Sequence, residues 1–139
     1  MRKIDATIAQ LKRPASEAAA NSYSPYSHFP VGVAVVSESG EIYRGCNVEN
    51  ASFGLTQCAE RAALASAIAA GVTPGKLTAL VIYTPGKTAH TPCGACRQVM
   101  HELMSTDSLV VSCCDGKETK AWTRDEYLPD PFVPDSLLK

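Results

Sequence analysis

The chain predicts an α/β fold: one β-sheet with helices packed on it. Three observations carry this. Strand-like apolar segments alternate with helical ones in the order β-β-α-β-α-β-β. The run 77–84 is continuously apolar, as in a strand covered on both faces. With 139 residues and 45% apolar content, the chain can bury one core, so residues 1–139 read as a single domain.

Residues 4–20 carry a helical pattern, and Ala15, Ala18, Ala19 and Ala20 favour it. Pro14 falls inside. Without an N–H, it either kinks one long helix or occupies the first turn of a second, shorter one. Tyr23-Ser24-Pro25-Tyr26-Ser27 reads as loop. Residues 31–37 and 41–48 read as strands joined by a turn at Ser39-Gly40. A polar loop, 49–57, leads to an alanine-rich helix at 58–70 that Gly71 stops. Its small side chains allow close packing on a sheet.

The strand 77–84 comes next, then a loop at 85–92 with Pro85, Gly86 and Pro92. A second helix runs from Gly94 to about Met104, with Val99, Met100 and Leu103 as its apolar side. Residues 109–113 form a strand, Asp115-Gly116 a turn, and 119–122 a short final strand. Residues 124–128 make a last helical turn before a proline-punctuated tail.

Composition narrows the function. The net charge is −1 and no Lys/Arg cluster stands out, which argues against a broad face for long nucleic acid. No stretch is long enough to span a membrane, and MRKIDATIAQLKR has no apolar signal core. A cytoplasmic location is expected, with neither membrane nor nucleic acid as partner.

Six cysteines require an explanation. Three disulfides fit poorly with an adequate core and no signal sequence. Cys46, Cys113 and Cys114 lie in strand-like segments and read as buried free thiols. Cys58 in C-A-E, and Cys93 and Cys96 in P-C-G-A-C, each sit at a helix start. Cys93 and Cys96, three apart, share one face of a first turn. Helix N-termini favour thiolates. Three thiolates can hold zinc and leave a fourth position open for water, and Glu60, two residues from Cys58, can move protons there.

A C-x-x-C pair alone also fits a zinc knuckle or a redox pair. A knuckle needs a fourth ligand. His28, His90 and His101 are available, yet none has compelling spacing, and each reads as a surface or satisfied histidine. Zinc with three thiolates carries a net charge of about −1, which weakens it as an acid catalyst. Arg61 and Arg97, each beside a ligand motif, can return positive charge through hydrogen bonds to sulfur.

These motifs together resemble the small cytidine deaminases. The similarity spans S-P-Y-S-H-F-P-V-G at 24–32, G-C-N-V-E-N-A-S at 45–52, C-A-E-R at 58–61, P-C-G-A-C-R-Q at 92–98 and L-P-D-P-F at 128–132. The resemblance implies a three-layer α/β/α sandwich around a mixed five-stranded sheet. It implies one Zn2+ per subunit on Cys58, Cys93 and Cys96, with Glu60 as proton shuttle. It implies hydrolytic deamination of cytidine and deoxycytidine in pyrimidine salvage. Asn47 and Glu49 would bind the sugar, Phe29 would pack beside the pyrimidine, and Arg61 would compensate charge at sulfur. Phe132 would reach a neighbour's site in a homotetramer with shared active sites.

One residue departs from the pattern. Phe53 stands where the family often has a tyrosine that contacts the sugar's 5′-hydroxyl from a neighbouring subunit. The ring remains and the hydroxyl is gone. Three other readings keep parts of the pattern: a deaminase of a cytosine-containing antibiotic, a nucleic-acid-editing deaminase, and a non-enzymatic zinc module. N-V-E-N-A-S favours an ordinary nucleoside, the near-neutral charge disfavours long nucleic acid, and Glu60 disfavours a mere zinc module.

Overall fold

The structure is a computed structural model that describes residues 3–138. A five-stranded sheet runs in the order β2-β1-β3-β4-β5. β1 (Gly32–Ser37) is antiparallel to β2 (Ile42–Cys46) and to β3 (Leu77–Tyr83). β3 runs parallel to β4 (Met104–Cys113), and β5 (Lys120–Thr123) is antiparallel to β4. The sheet is therefore mixed, as the resemblance implied. A parallel pair needs a crossover, and α3 (Gly94–Leu103) supplies it between β3 and β4.

The two-residue period of the central strands divides the core into two layers. Val33, Val35, Leu80, Ile82 and Val110 face α2 (Ala59–Ala69) and α3, where Leu64, Ala67 and Met100 meet them. Ala34, Val36, Ala79, Val81 and Val111 face α1 (Lys3–Ala19), where Leu11, Ala15 and Ala19 meet them. The result is the expected α/β/α sandwich. All of β1 is buried, because it is covered on both faces.

Glycines set how closely the helices lie on the sheet. A Cβ on Gly32 would stand 1.9 Å from the Ala15 carbonyl of α1, and one on Gly45 would stand 2.4 Å from the Ala63 nitrogen of α2. Neither backbone could approach so closely over a larger residue.

Several boundaries differ from the sequence reading. α1 runs unbroken through Pro14. The carbonyl that loses its partner belongs to Gln10, which is exposed, so water can satisfy it. β2 ends at Cys46 rather than at 48. Val48 instead bridges Tyr23 and Gln57, which ties three loop segments together. Cys46 is only half-buried, and Cys114 is buried just beyond β4. β4 starts at Met104, directly after α3, and its register with β3 jumps between Leu77 and Ala79. The polar run 105–108 hides that first pairing from a sequence pattern. Beyond α4 (Arg124–Tyr127) the tail forms a further short helix, α5 (Asp135–Leu138). Among the described residues, no helix is long and apolar enough to cross a membrane.

Candidate active site

The ends of α2 and α3 meet at one point. Cys58 caps α2 and Cys93 caps α3, both in extended conformation and neither using its side chain as a cap. Their sulfurs are thus left free to face each other, while the first N–H groups of each helix direct positive potential toward them. Cys96 lies within the first turn of α3 and is fully buried. The three sulfurs lie within 4.8 Å of one another, with Cys93 and Cys96 Sγ 3.4 Å apart. A tetrahedral zinc with Zn–S bonds of about 2.3 Å needs sulfurs about 3.8 Å apart, so the triad fits that ion. Among the described residues, no fourth Cys, His, Asp or Glu joins the cluster.

The thiols differ in character. Burial, then the Glu60 charge, pushes the Cys96 thiol far up. Burial also opposes ionisation of Cys93, yet hydrogen bonds from the Cys96 backbone and side chain outweigh it and hold Cys93 below its ordinary value. A cation between them removes the resistance of Cys96, so metal binding and thiol ionisation are linked. Arg61 Nη2 donates to Cys58 Sγ at 3.2 Å. That bond is also the leading reason its guanidinium holds its proton more tightly than usual.

Arg97 does not reach a sulfur, contrary to the sequence expectation. Its Nε donates to the Pro92 carbonyl at 2.8 Å and its Nη1 to the Tyr127 carbonyl at 3.5 Å. Its position on α3 turns it toward the loop and tail rather than the metal triad.

Glu60 is buried, with only 6% of its surface exposed. Burial pushes its carboxyl up, against the opposing pull of a backbone hydrogen bond and the Cys96 thiol. It lines a cleft of about 260 Å³ shared with Cys58, Cys93, Phe29, Asn47 and Glu49. Small-molecule sites commonly enclose roughly 300–1,000 Å³, so the cleft suits a ligand at the small end of that range.

The sugar-side candidates are held from behind. Asn47 is buried and accepts from the Val31 N–H at 2.9 Å, while its Nδ2 donates to the Phe29 carbonyl at 2.8 Å. It therefore fixes the segment that presents Phe29, and one Nδ2 hydrogen remains to donate. Glu49 Oε1 accepts from the Tyr26 and Ser27 N–H groups at 3.0 and 3.1 Å, and Ser27 Oγ donates to Oε2. The Ser27 hydroxyl is the main reason its carboxyl stays below the usual carboxylate range. Phe132 lies outside this cleft, with 57% of its surface exposed.

Two residues escaped the sequence reading. Ser27 orients Glu49, and its only signal was membership in the 24–32 run. His90, read as a surface or satisfied histidine, lines the cleft. Its ring stands edge-on to Phe29, with centroids 4.9 Å apart and planes at 86°. Ser112 Oγ holds the His90 carbonyl at 2.5 Å from the sheet. The other two histidines are not ligands. His28 is exposed at a φ of 55°, and His101 is buried with its carbonyl taken by Arg124.

Residues 6–113 match the family model of the cytidine and deoxycytidylate deaminase zinc-binding region. The chain is 46% identical to a cytidine deaminase of Sporosarcina psychrophila, covering 96% of this chain and 94% of that protein. It is 39% identical to a cytidine deaminase of Halalkalibacterium halodurans, over 91% and 95% of the two chains. Among solved structures, it resembles the cytidine deaminase of Burkholderia pseudomallei with a TM-score of 0.83 and 42% identity, over 95% and 100% of the two chains.

Proposed function

The chain belongs to the cytidine and deoxycytidylate deaminase family, and from that premise we propose that it hydrolyses cytidine and deoxycytidine to uridine and deoxyuridine, releasing ammonia in pyrimidine salvage. The observation that carries this reading is the buried Glu60 in one cleft with Cys58, Cys93 and Phe29. Residues 1–139 act as one deaminase unit.

Cys58, Cys93 and Cys96 would hold one zinc ion. When bound, zinc supplies Lewis-acid activation of the attacking water. Arg61 offsets the negative charge of the triad through Cys58 Sγ.

Glu60 moves the protons. It accepts one from the attacking water and delivers it to N3 of the pyrimidine while the water oxygen bonds to C4. It then carries the second proton from that oxygen to the exocyclic amine. The bond from C4 to that nitrogen breaks, ammonia leaves, and C4 keeps the oxygen as a carbonyl. A carboxyl raised by burial is suited to this, because it binds a proton more readily than an ordinary carboxylate and so serves as the base before it serves as the acid.

Phe29 offers a flat apolar wall to the ring, and His90 steadies it. Glu49 stays ionised to accept from sugar hydroxyls, and Asn47 donates with its remaining hydrogen. Phe132 completes the site of a neighbouring subunit in a homotetramer. Its position outside its own cleft supports that assignment, as do exposed Tyr26, Phe29, Phe53 and Leu55. The enzyme works in the cytoplasm.

Ultraviolet-monitored turnover of cytidine, deoxycytidine and blasticidin S by zinc-loaded protein, beside a chelated control, tests this function. Turnover of the two nucleosides that chelation abolishes is expected. Turnover of blasticidin S alone would overturn the substrate assignment.

A further inference from the structure

Among the described residues, the stretch 129–132 that carries Phe132 makes no backbone–backbone hydrogen bond, although the chain on either side of it does. Residues 128–134 include Pro129, Pro131 and Pro134, which have no N–H to donate. Among the described residues, one hydrogen bond holds the stretch 129–132: Gln98 Nε2 donates to the Phe132 carbonyl at 2.8 Å. Gln98 sits on α3 two residues after Cys96. Its neighbour Arg97 clamps the Pro92 carbonyl just before Cys93 and the Tyr127 carbonyl just before the tail. One turn of one helix thus touches the metal-ligand loop, the start of the tail and Phe132.

We propose that Gln98 is a positioning residue for the reaction: it fixes the Phe132 main chain from the helix that carries two of the three cysteine ligands. Phe132 is then presented at a set distance from the metal triad of its own subunit and, in the assembly, at a set place over the neighbour's substrate. The inference rests on the reading that Phe132 contacts substrate. Gln98 touches no substrate itself. It acts on substrate affinity through Phe132 and leaves the proton-transfer machinery alone.

Gln98→Glu is the direct test. Glutamate has the same length, but its ionised carboxylate only accepts and so cannot bond a carbonyl. Loss of one such bond is expected to raise KM for cytidine about 5- to 10-fold. The expected kcat, zinc content and melting temperature are those of the parent enzyme. Gln98→Lys, which keeps a donor, should restore most of the lost affinity. Phe132→Ala should raise KM, and the double variant Q98E/F132A should be no worse than F132A alone. An unchanged KM in Q98E beside a raised KM in F132A overturns the inference while sparing the role of Phe132. Losses that multiply in the double variant, or early melting and zinc loss in Q98E, also overturn it. An unchanged KM in F132A overturns the role of Phe132, and the inference with it.

Discussion

Gly45 of β2 and Ala63 of α2 are in backbone contact: a Cβ on Gly45 would stand 2.4 Å from the Ala63 nitrogen and 2.6 Å from the Ala59 carbonyl. This contact seats α2, and Cys58 caps α2. Packing in the sandwich therefore decides whether Cys58 reaches Cys93 and Cys96. Gly45→Ala should cost about 1–3 kcal/mol by overpacking, or roughly 4–10 °C in melting temperature. It should also lower bound zinc. Gly54→Ala, which meets open space, is the control and should melt with the parent protein. Thermal melts with metal analysis check both; a G45A protein with parental melting and full zinc would show that this contact does not seat Cys58.

Arg61 should matter to the chemistry more than to the fold. Arg61→Ala removes the 3.2 Å bond to Cys58 Sγ and leaves the triad more negative. Activity should fall about 10- to 100-fold, the usual range for a lost partner of a metal ligand. The acid limb of the pH–rate profile should move to higher pH, since water near a more negative centre ionises less readily. An unchanged profile with unchanged zinc would remove Arg61 from the mechanism.

Phe53 bears on the sugar's far end. It is 75% exposed and meets Tyr26 edge-on at 5.9 Å, with no hydroxyl to offer. Cytidine and 5′-deoxycytidine should therefore differ by less than about 5-fold in kcat/KM, below the worth of one hydrogen bond. Phe53→Tyr should widen the gap. A large loss for 5′-deoxycytidine with the parent enzyme would show that another group binds the 5′-hydroxyl.

Asp115 gives stability an acid dependence. The Tyr83 hydroxyl donates to its carboxylate, and the Gly86 N–H donates at 3.0 Å. The Tyr83 bond is the main reason its carboxyl lies below the ordinary value. Its folded pKa is below its unfolded one, so its stabilisation is fully present above an unfolded pKa of about 3.9. It is lost as pH falls through the folded value. Asp115→Asn should flatten the slope of unfolding free energy against pH below about 4. Denaturant melts across that range check it; identical slopes would contradict the linkage.

Much of this was legible in the sequence, for physical reasons that can be named. The apolar run 77–84 had to be a covered strand, and β3 is the middle strand of the sheet. Cys58 and Cys93 announced two helix starts, and the structure makes both of them caps. Strand order was not legible from periodicity, because period two says which face a residue takes and not which neighbour it pairs with. Pro14 left two outcomes open, and tertiary packing of Leu11, Ala15 and Ala19 chose the unbroken helix. The polar run 105–108 concealed the start of β4, whose pairing at Met104 depends on β3. His90 gave no local signal, since its place in the cleft is set by Ser112 on β4 and by Phe29, far off in the chain. Arg97 and Arg61 looked alike as neighbours of ligand motifs, and only the paths of α2 and α3 separate them.

In the proposed reaction, a metal held by three cysteines and a proton-shuttling carboxylate share one site. Glu60→Gln tests it most directly, through zinc content and cytidine turnover measured on the same preparation. Zinc should be retained near one ion per subunit, with kcat reduced by about 10²-fold or more, the range of lost acid–base help. Turnover near the parental rate with zinc in place would contradict it.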